Sequence, residues 1–113
     1  MVTFSSEDIN GVIILTITGD FYIESIEYAE KMWSEQMAKR PRVMGINCKN
    51  LKYIDSSAIG ILVKFLNNAR KAKTELVFFD LGDNIINVFR TAKLGNFFKV
   101  MSRTQFEMEY LES

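Results

Sequence analysis

Asp55, Ser56 and Ser57 stand together in the run YIDSSAIGIL, residues 53 to 62, between a strand-like stretch and a helix-like one. An acid and two hydroxyls at such a junction have two uses. One of them can cap the helix by accepting a backbone N–H bond, worth about 1 kcal/mol. An exposed serine there can also receive a phosphate. Its charge of about −1.5 to −2 meets the favourable helix N-terminus but also the repulsion of a neighbouring carboxylate, here Asp55. The two uses are compatible, and residue types alone leave both open.

The rest of the chain offers little other chemistry. It has no histidine, which removes the Ser–His–Asp and Cys–His sites that need imidazole to take a proton. Cys48 is the only cysteine, so zinc sites lack ligands and no internal disulfide framework exists. Neither a calcium loop nor a phosphate-cradling glycine loop is present. The expectation is therefore no metal, no cofactor and no intrinsic catalysis. Glu24, Glu27 and Glu30 form an acidic row that reads as solvated helix surface, and Trp33 at helical spacing reads as core.

Length and composition bound the answer further. A chain of 113 residues is expected to form one domain over 1–113 and to bury a real core. Hydrophobic residues make up 48% and charged ones 25%, which argues against disorder. Fourteen basic and fourteen acidic residues cancel, so no overall field steers the molecule toward nucleic acid or a membrane surface. No apolar run approaches the roughly 20 residues needed to span a bilayer. The N-terminus lacks the basic and then apolar regions of a secretory signal, and a lone cysteine suits a reducing cytosol.

The elements that must position Asp55 to Ser57 follow from periodicity. Ile13, Leu15 and Ile17 recur at period two over residues 11 to 18 and predict a strand closed by Gly19 and Asp20. Tyr22, Ile26, Ala29, Trp33 and Met37 recur at three or four and predict an amphipathic helix over 22–39, stopped by Pro41. A strand over 42–48, a helix over 56–72 and a strand over 75–81 come next. Asp83 is expected to cap a helix from Asn84 to about Lys93, with Gly95 as its stop. Residues 97–101 predict a last strand, and Thr104 with Glu107 a capping box for a terminal helix. Alternating strands and helices with short links make the fold α/β. The unit from 42 to 81 is a βαβ crossover with parallel strands. The opening strands are too close for an intervening helix and are expected to pair antiparallel.

The helix after Asp55 carries more apolar surface than one sheet needs. Ala58, Ile59, Ile61, Leu62, Val63, Phe65, Leu66 and Ala69 cover an arc of roughly 200°, with Lys64, Asn67, Asn68 and Lys71 on the wet side. The surplus edge is Ile59 and Val63, next to Ser57. Either a neighbouring helix of the same domain covers it, or it is a partner-binding surface beside the hydroxyls.

Taken with their flanks, these residues resemble the STAS domains, and among them the bacterial anti-sigma-factor antagonists. The segment NLKYIDSSAIGILVKFLNNARKAKTELVFFDL has Asp55-Ser56-Ser57 where that family carries Asp-Ser-Ser/Thr-Gly-Leu-Gly. ILTITGDFYIESIEYAE is similar to the family's apolar strand, turn and first helix, and NIINVFRTAKLGNFFKV to its later helix, leucine-glycine turn and strand. Ala58 stands in place of the usual glycine, and Tyr22 about where many members are acidic. The resemblance implies a single STAS-like domain, a mixed β-sheet with helices packed mainly on one face. It implies a cytoplasmic, non-catalytic partner switch acting in transcription regulation. The dephosphorylated protein binds an anti-sigma factor that is also a serine kinase, and so frees a sigma factor. That kinase, carrying the ATP, phosphorylates Ser56, with Ser57 a secondary candidate, and a PP2C-type phosphatase reverses the mark. Asp55 would orient the hydroxyl and kinase contacts, and Asp55, Ser56, Ser57, Ile59 and Val63 would form the partner surface. Neither nucleic acid nor membrane insertion is implied. The alternative is a phosphorylation-independent STAS scaffold in a stress-sensing or lipid-transport complex.

Overall fold

The computed structural model describes residues 2–112. The chain opens with a hairpin, β1 (Thr3–Ile9) against β2 (Val12–Phe21), antiparallel in register from Thr3–Thr18 to Ile9–Val12. Asn10 and Gly11 form the two-residue turn at φ 53° and 86°. Such a turn matches the twist of the strands only when both residues accept positive φ, which Asn and Gly do most readily.

Ile13, Leu15 and Ile17 make one face of β2 apolar throughout, and Val12 and Ile14 make the start of the other face apolar too. The first half of β2 pairs parallel with β3 (Val43–Asn47), which pairs parallel with β5 (Glu75–Phe79) and that with β6 (Lys99–Met101). The sheet order is β1-β2-β3-β5-β6. Ile13, Leu15, Ile17, Met44, Ile46 and Phe78 face one large cluster that includes Trp33, Leu62, Phe65 and Phe89. Three helices supply those side chains: α1 (Ile26–Met37), α2 (Ser56–Lys71) and α3 (Asp83–Thr91). Trp33 is core as expected, stacked on Phe65 at 4.4 Å between centroids. Its indole N–H donates to Asn68 Oδ1 at 2.8 Å, so one residue assigned to the wet side of α2 serves the core instead.

The other face is smaller. Val12, Val43, Val77, Phe79 and Met101 are covered by Phe106 and the partly buried Tyr110 and Leu111. These come from α4 (Arg103–Phe106) and the wider helical turn Glu107–Leu111 that continues it. Gly45 makes this contact feasible, because a Cβ there would come within 2.7 Å of Phe106 Cε1. The sheet is thus mixed, with helices mainly on one face, as the resemblance implied.

The helix starts differ from the sequence reading in three places. The first helix begins as a 3-10 turn over Ile23–Ser25, leaving Tyr22 outside it and extended. Gly82, not Asp83, occupies the cap of α3, and no side chain caps it. Ser102 caps α4 by accepting from Gln105 N–H at 3.1 Å. Ser102 and Gln105 form the same spacing as Thr104 and Glu107 two residues earlier, and the earlier pair wins because the chain already turns there, after β6.

Candidate functional site

A strand that periodicity did not reveal positions the Asp55 run. β4 (Leu51–Ile54) pairs parallel with the last residues of β2, Gly19 with Leu51 and Phe21 with Ile54. The β2 ladder shifts register at Gly19 and Asp20, and Gly19 takes φ 101° while its N–H donates to Asn50 O at 2.9 Å. Such a shift re-aims a strand and favours glycine. It lets β2 leave β3 and take up β4, and the Asp55 N–H then extends the ladder to Phe21 O at 3.3 Å. The ends of β2 and β4 therefore deliver Ile23 and Asp55 side by side.

Asp55 uses that proximity. Its Oδ1 accepts from Ala58 N–H at 2.9 Å, capping α2, and its Oδ2 accepts from Ile23 N–H at 2.9 Å. Of the two open uses of the run, capping falls to Asp55. Both recorded bonds go to backbone donors of two different helix starts, and neither goes to Ser56. The carboxylate acts as a clamp on the frame.

Ser56 is the first residue of α2 and is exposed, while Ser57 is half-buried and Ala58 fully buried against the core. Ala58 fills space that the usual glycine would leave empty. Ile59 and Val63 are half-buried and pack on the rim of the large cluster, whereas Ile61, Leu62 and Phe65 are 7%, 1% and 4% exposed. The surplus arc is thus real but shared. Ile59 lines a groove of about 300 Å³ with Val88 of α3 and Ala92 at its C-terminal cap, so a neighbouring helix covers part of it.

Two further apolar residues border the run, and periodicity missed both. Ile23 is 63% exposed and Tyr53 54% exposed. The signal was available for Tyr53, since it alternates with the buried Ile54 just before Asp55. Tyr22 lies among them. Partial burial, then Asp20, Tyr53, Asp55 and Glu24, raise its phenol above the ordinary value. Apolar Ile23 and Tyr53 are thus exposed beside the run. The carboxylates of Asp20, Glu24 and Asp55 lie near Tyr22, and Lys49 and Lys52 share a groove with Tyr53. Among the described residues no cluster of three or more potential metal ligands occurs, and no helix is long and apolar enough to cross a membrane. Cys48 is buried, and burial holds its thiol far above the ordinary value, so it is no nucleophile.

The STAS domain family model matches residues 3–106. No curated protein sequence matches the chain significantly. Among solved structures, the fold is shared with a Thermotoga maritima protein proposed to be an anti-sigma factor antagonist, at TM-score 0.86 and 16% identity over 96% of this chain and 95% of that one. It is shared with an anti-sigma factor antagonist from Mycobacterium paratuberculosis at TM-score 0.79 and 17% identity, over 88% and 85%. The Bacillus cell fate determinant SpoIIAA in its phosphorylated form matches at TM-score 0.72 and 13% identity, over 97% and 100%. Identities this low carry the fold and not the activity. The family match, spanning every strand and the capped helix at Asp55, means that the chain belongs to the STAS domain family.

Proposed function

We propose that this protein is a non-catalytic, cytoplasmic partner switch controlled by phosphorylation of Ser56. Unmodified, it binds an anti-sigma factor that is also a serine kinase, and a sigma factor is released. The kinase transfers the γ-phosphoryl group of its ATP to Ser56 Oγ, ADP leaves, and the hydroxyl proton passes to a base of the kinase. A PP2C-type phosphatase hydrolyses the ester and resets the switch. The observation that carries this reading is an exposed serine at the first position of a helix whose start is clamped by Asp55. A phosphate there meets free N–H groups and the positive end of the helix dipole, so the domain tolerates it. A partner lying on Ile23, Tyr53 and Ile59 does not, because the phosphate and Asp55 would both be pressed into the same contact. Ser57, half-buried, is the secondary acceptor, and Val63 is the far edge of the partner surface.

A second reading is a scaffold whose binding ignores phosphate, as in a stress-sensing or lipid-transport complex. The same fold in a sulfate transporter family protein from Wolinella succinogenes, at TM-score 0.70, favours keeping it. Capture from a lysate of the source organism on columns of wild type and Ser56→Asp, followed by phosphate mapping, separates the two. A serine kinase retained by wild type alone, with phosphate on Ser56, supports the switch. The same partners on both columns support the scaffold.

A further inference from the structure

We propose that a cleft on the far side of α3 binds a small amphiphilic anion, a carboxylate carried on an apolar body. The cleft measures about 510 Å³ and is walled by Leu81, Ile86, Phe89 and Val100, with Arg90 and Lys93 beside them. That volume is the size of sites that hold small molecules, and such sites are mostly apolar with a few polar groups that fix orientation. It shares no residue with the Asp55–Ser56 surface.

Three observations fit that occupant together. Val100 is 41% exposed on β6, the last strand of the sheet, where edges commonly carry charge and not a bare aliphatic group. Arg90 donates from Nη1 to Asn87 Oδ1 at 3.2 Å, and among the described residues neither Arg90 nor Lys93 has a carboxylate within ion-pair distance. The ion pairs found among the described residues, Lys64–Glu30, Lys99–Glu75 and Arg103–Asp80, involve neither of them. A helix C-terminus favours cations by its dipole alone, which accounts for their sign but not for the apolar hollow beside them. An inorganic anion would leave the hollow hydrated and gain only a screened ion pair. A neutral apolar molecule would leave the guanidinium fork without the bidentate partner it suits. A concave site of this size takes a discrete molecule, whereas a flat bilayer surface would leave it unfilled.

The test is a backbone-amide NMR titration of the whole chain with sodium dodecanoate below its micelle concentration, with 1-dodecanol and acetate as parallel arms. Saturable shifts centred on Ile86, Phe89, Arg90, Lys93 and Val100 are expected. Arg90→Ala/Lys93→Ala should weaken dodecanoate about tenfold with an unchanged melt, since both side chains are exposed. Dodecanol should bind at least tenfold more weakly than dodecanoate, and acetate should leave these amides unmoved. The proposal is overturned by no saturable shift, by shifts centred on Tyr53 or Met108, or by equal affinity in the double variant. Binding of phosphatidylglycerol vesicles through Arg90 and Lys93, with dodecanoate inert, overturns it in favour of a lipid surface.

Discussion

Replacing Asp55 by alanine should separate the carboxylate's work in the fold from the serine's work in the switch. Two bonds are lost, one to Ala58 N–H and one to Ile23 N–H, each at 2.9 Å. Loss of a helix N-cap costs about 1 kcal/mol. The Ile23 bond is exposed, so water takes its place and its loss costs about 0.5–1 kcal/mol. The sum is about 1.5–2 kcal/mol, or a melting temperature lower by roughly 6–12 °C for a domain of this size. Asp55→Asn keeps an oxygen at the cap but sets an NH2 against Ile23 N–H, so it should lose only the second bond, about 0.5–1 kcal/mol. Urea denaturation of the three proteins, with thermal melts alongside, makes the comparison. A loss below about 0.5 kcal/mol in Asp55→Ala, or equal losses in both variants, would refute the clamp.

Four other outcomes are expected. Gly45→Ala should destabilise by about 1–3 kcal/mol in urea denaturation, because the new methyl displaces the Phe106 ring and loosens α4. Trp33→Ala should lose about 3–5 kcal/mol, and Asn68→Ala about 1 kcal/mol through the indole bond, with chemical denaturation as the check. Glu75 is held below its ordinary value of 4.5, first by the bond from the Lys99 ammonium and with help from the Tyr110 hydroxyl, against partial burial. A depressed carboxylate stabilises above its unfolded pKa and loses that contribution as pH falls through the folded one. Wild type should therefore exceed Glu75→Gln in urea midpoint at pH 7, and the difference should shrink as pH falls below 4.5. Both partners are more than 40% exposed, so the difference should be only a few tenths of a kcal/mol.

Periodicity located β2, β3, β5 and the three long helices because strand and helix repeats differ and most of their apolar residues obey one or the other. It did not place β1, in which only Phe4 is fully buried. Ile13, Leu15 and Ile17 faced the core as read, and Trp33 and Phe65 met inside it. What else escaped was short or local. β4 has four residues with only its ends buried, too few to show a period, yet it carries Asp55 into place. Ile23 was lost because a 3-10 turn winds differently from the α-helix assumed over 22–39, which moved the phase of the first residues. The caps at Gly82 and Ser102 lay one and two residues from those expected, since helix ends depend on how the chain arrives and several nearby residues can serve. The Asp55–Ser57 run itself was legible as a helix start. Which oxygen clamps which backbone was not, because the Ile23 donor lies 32 positions away.

Calorimetry of wild type, Ser56→Ala and Ser56→Asp against the recovered kinase tests the switch most directly. Burying an added negative charge beside Asp55 without a counter-ion costs several kcal/mol, and each 1.4 kcal/mol is about a factor of ten. Ser56→Ala should bind as wild type does and Ser56→Asp at least a hundredfold more weakly, with Ser56→Asp melting near wild type. Equal binding of wild type and Ser56→Asp would contradict the assignment of Ser56.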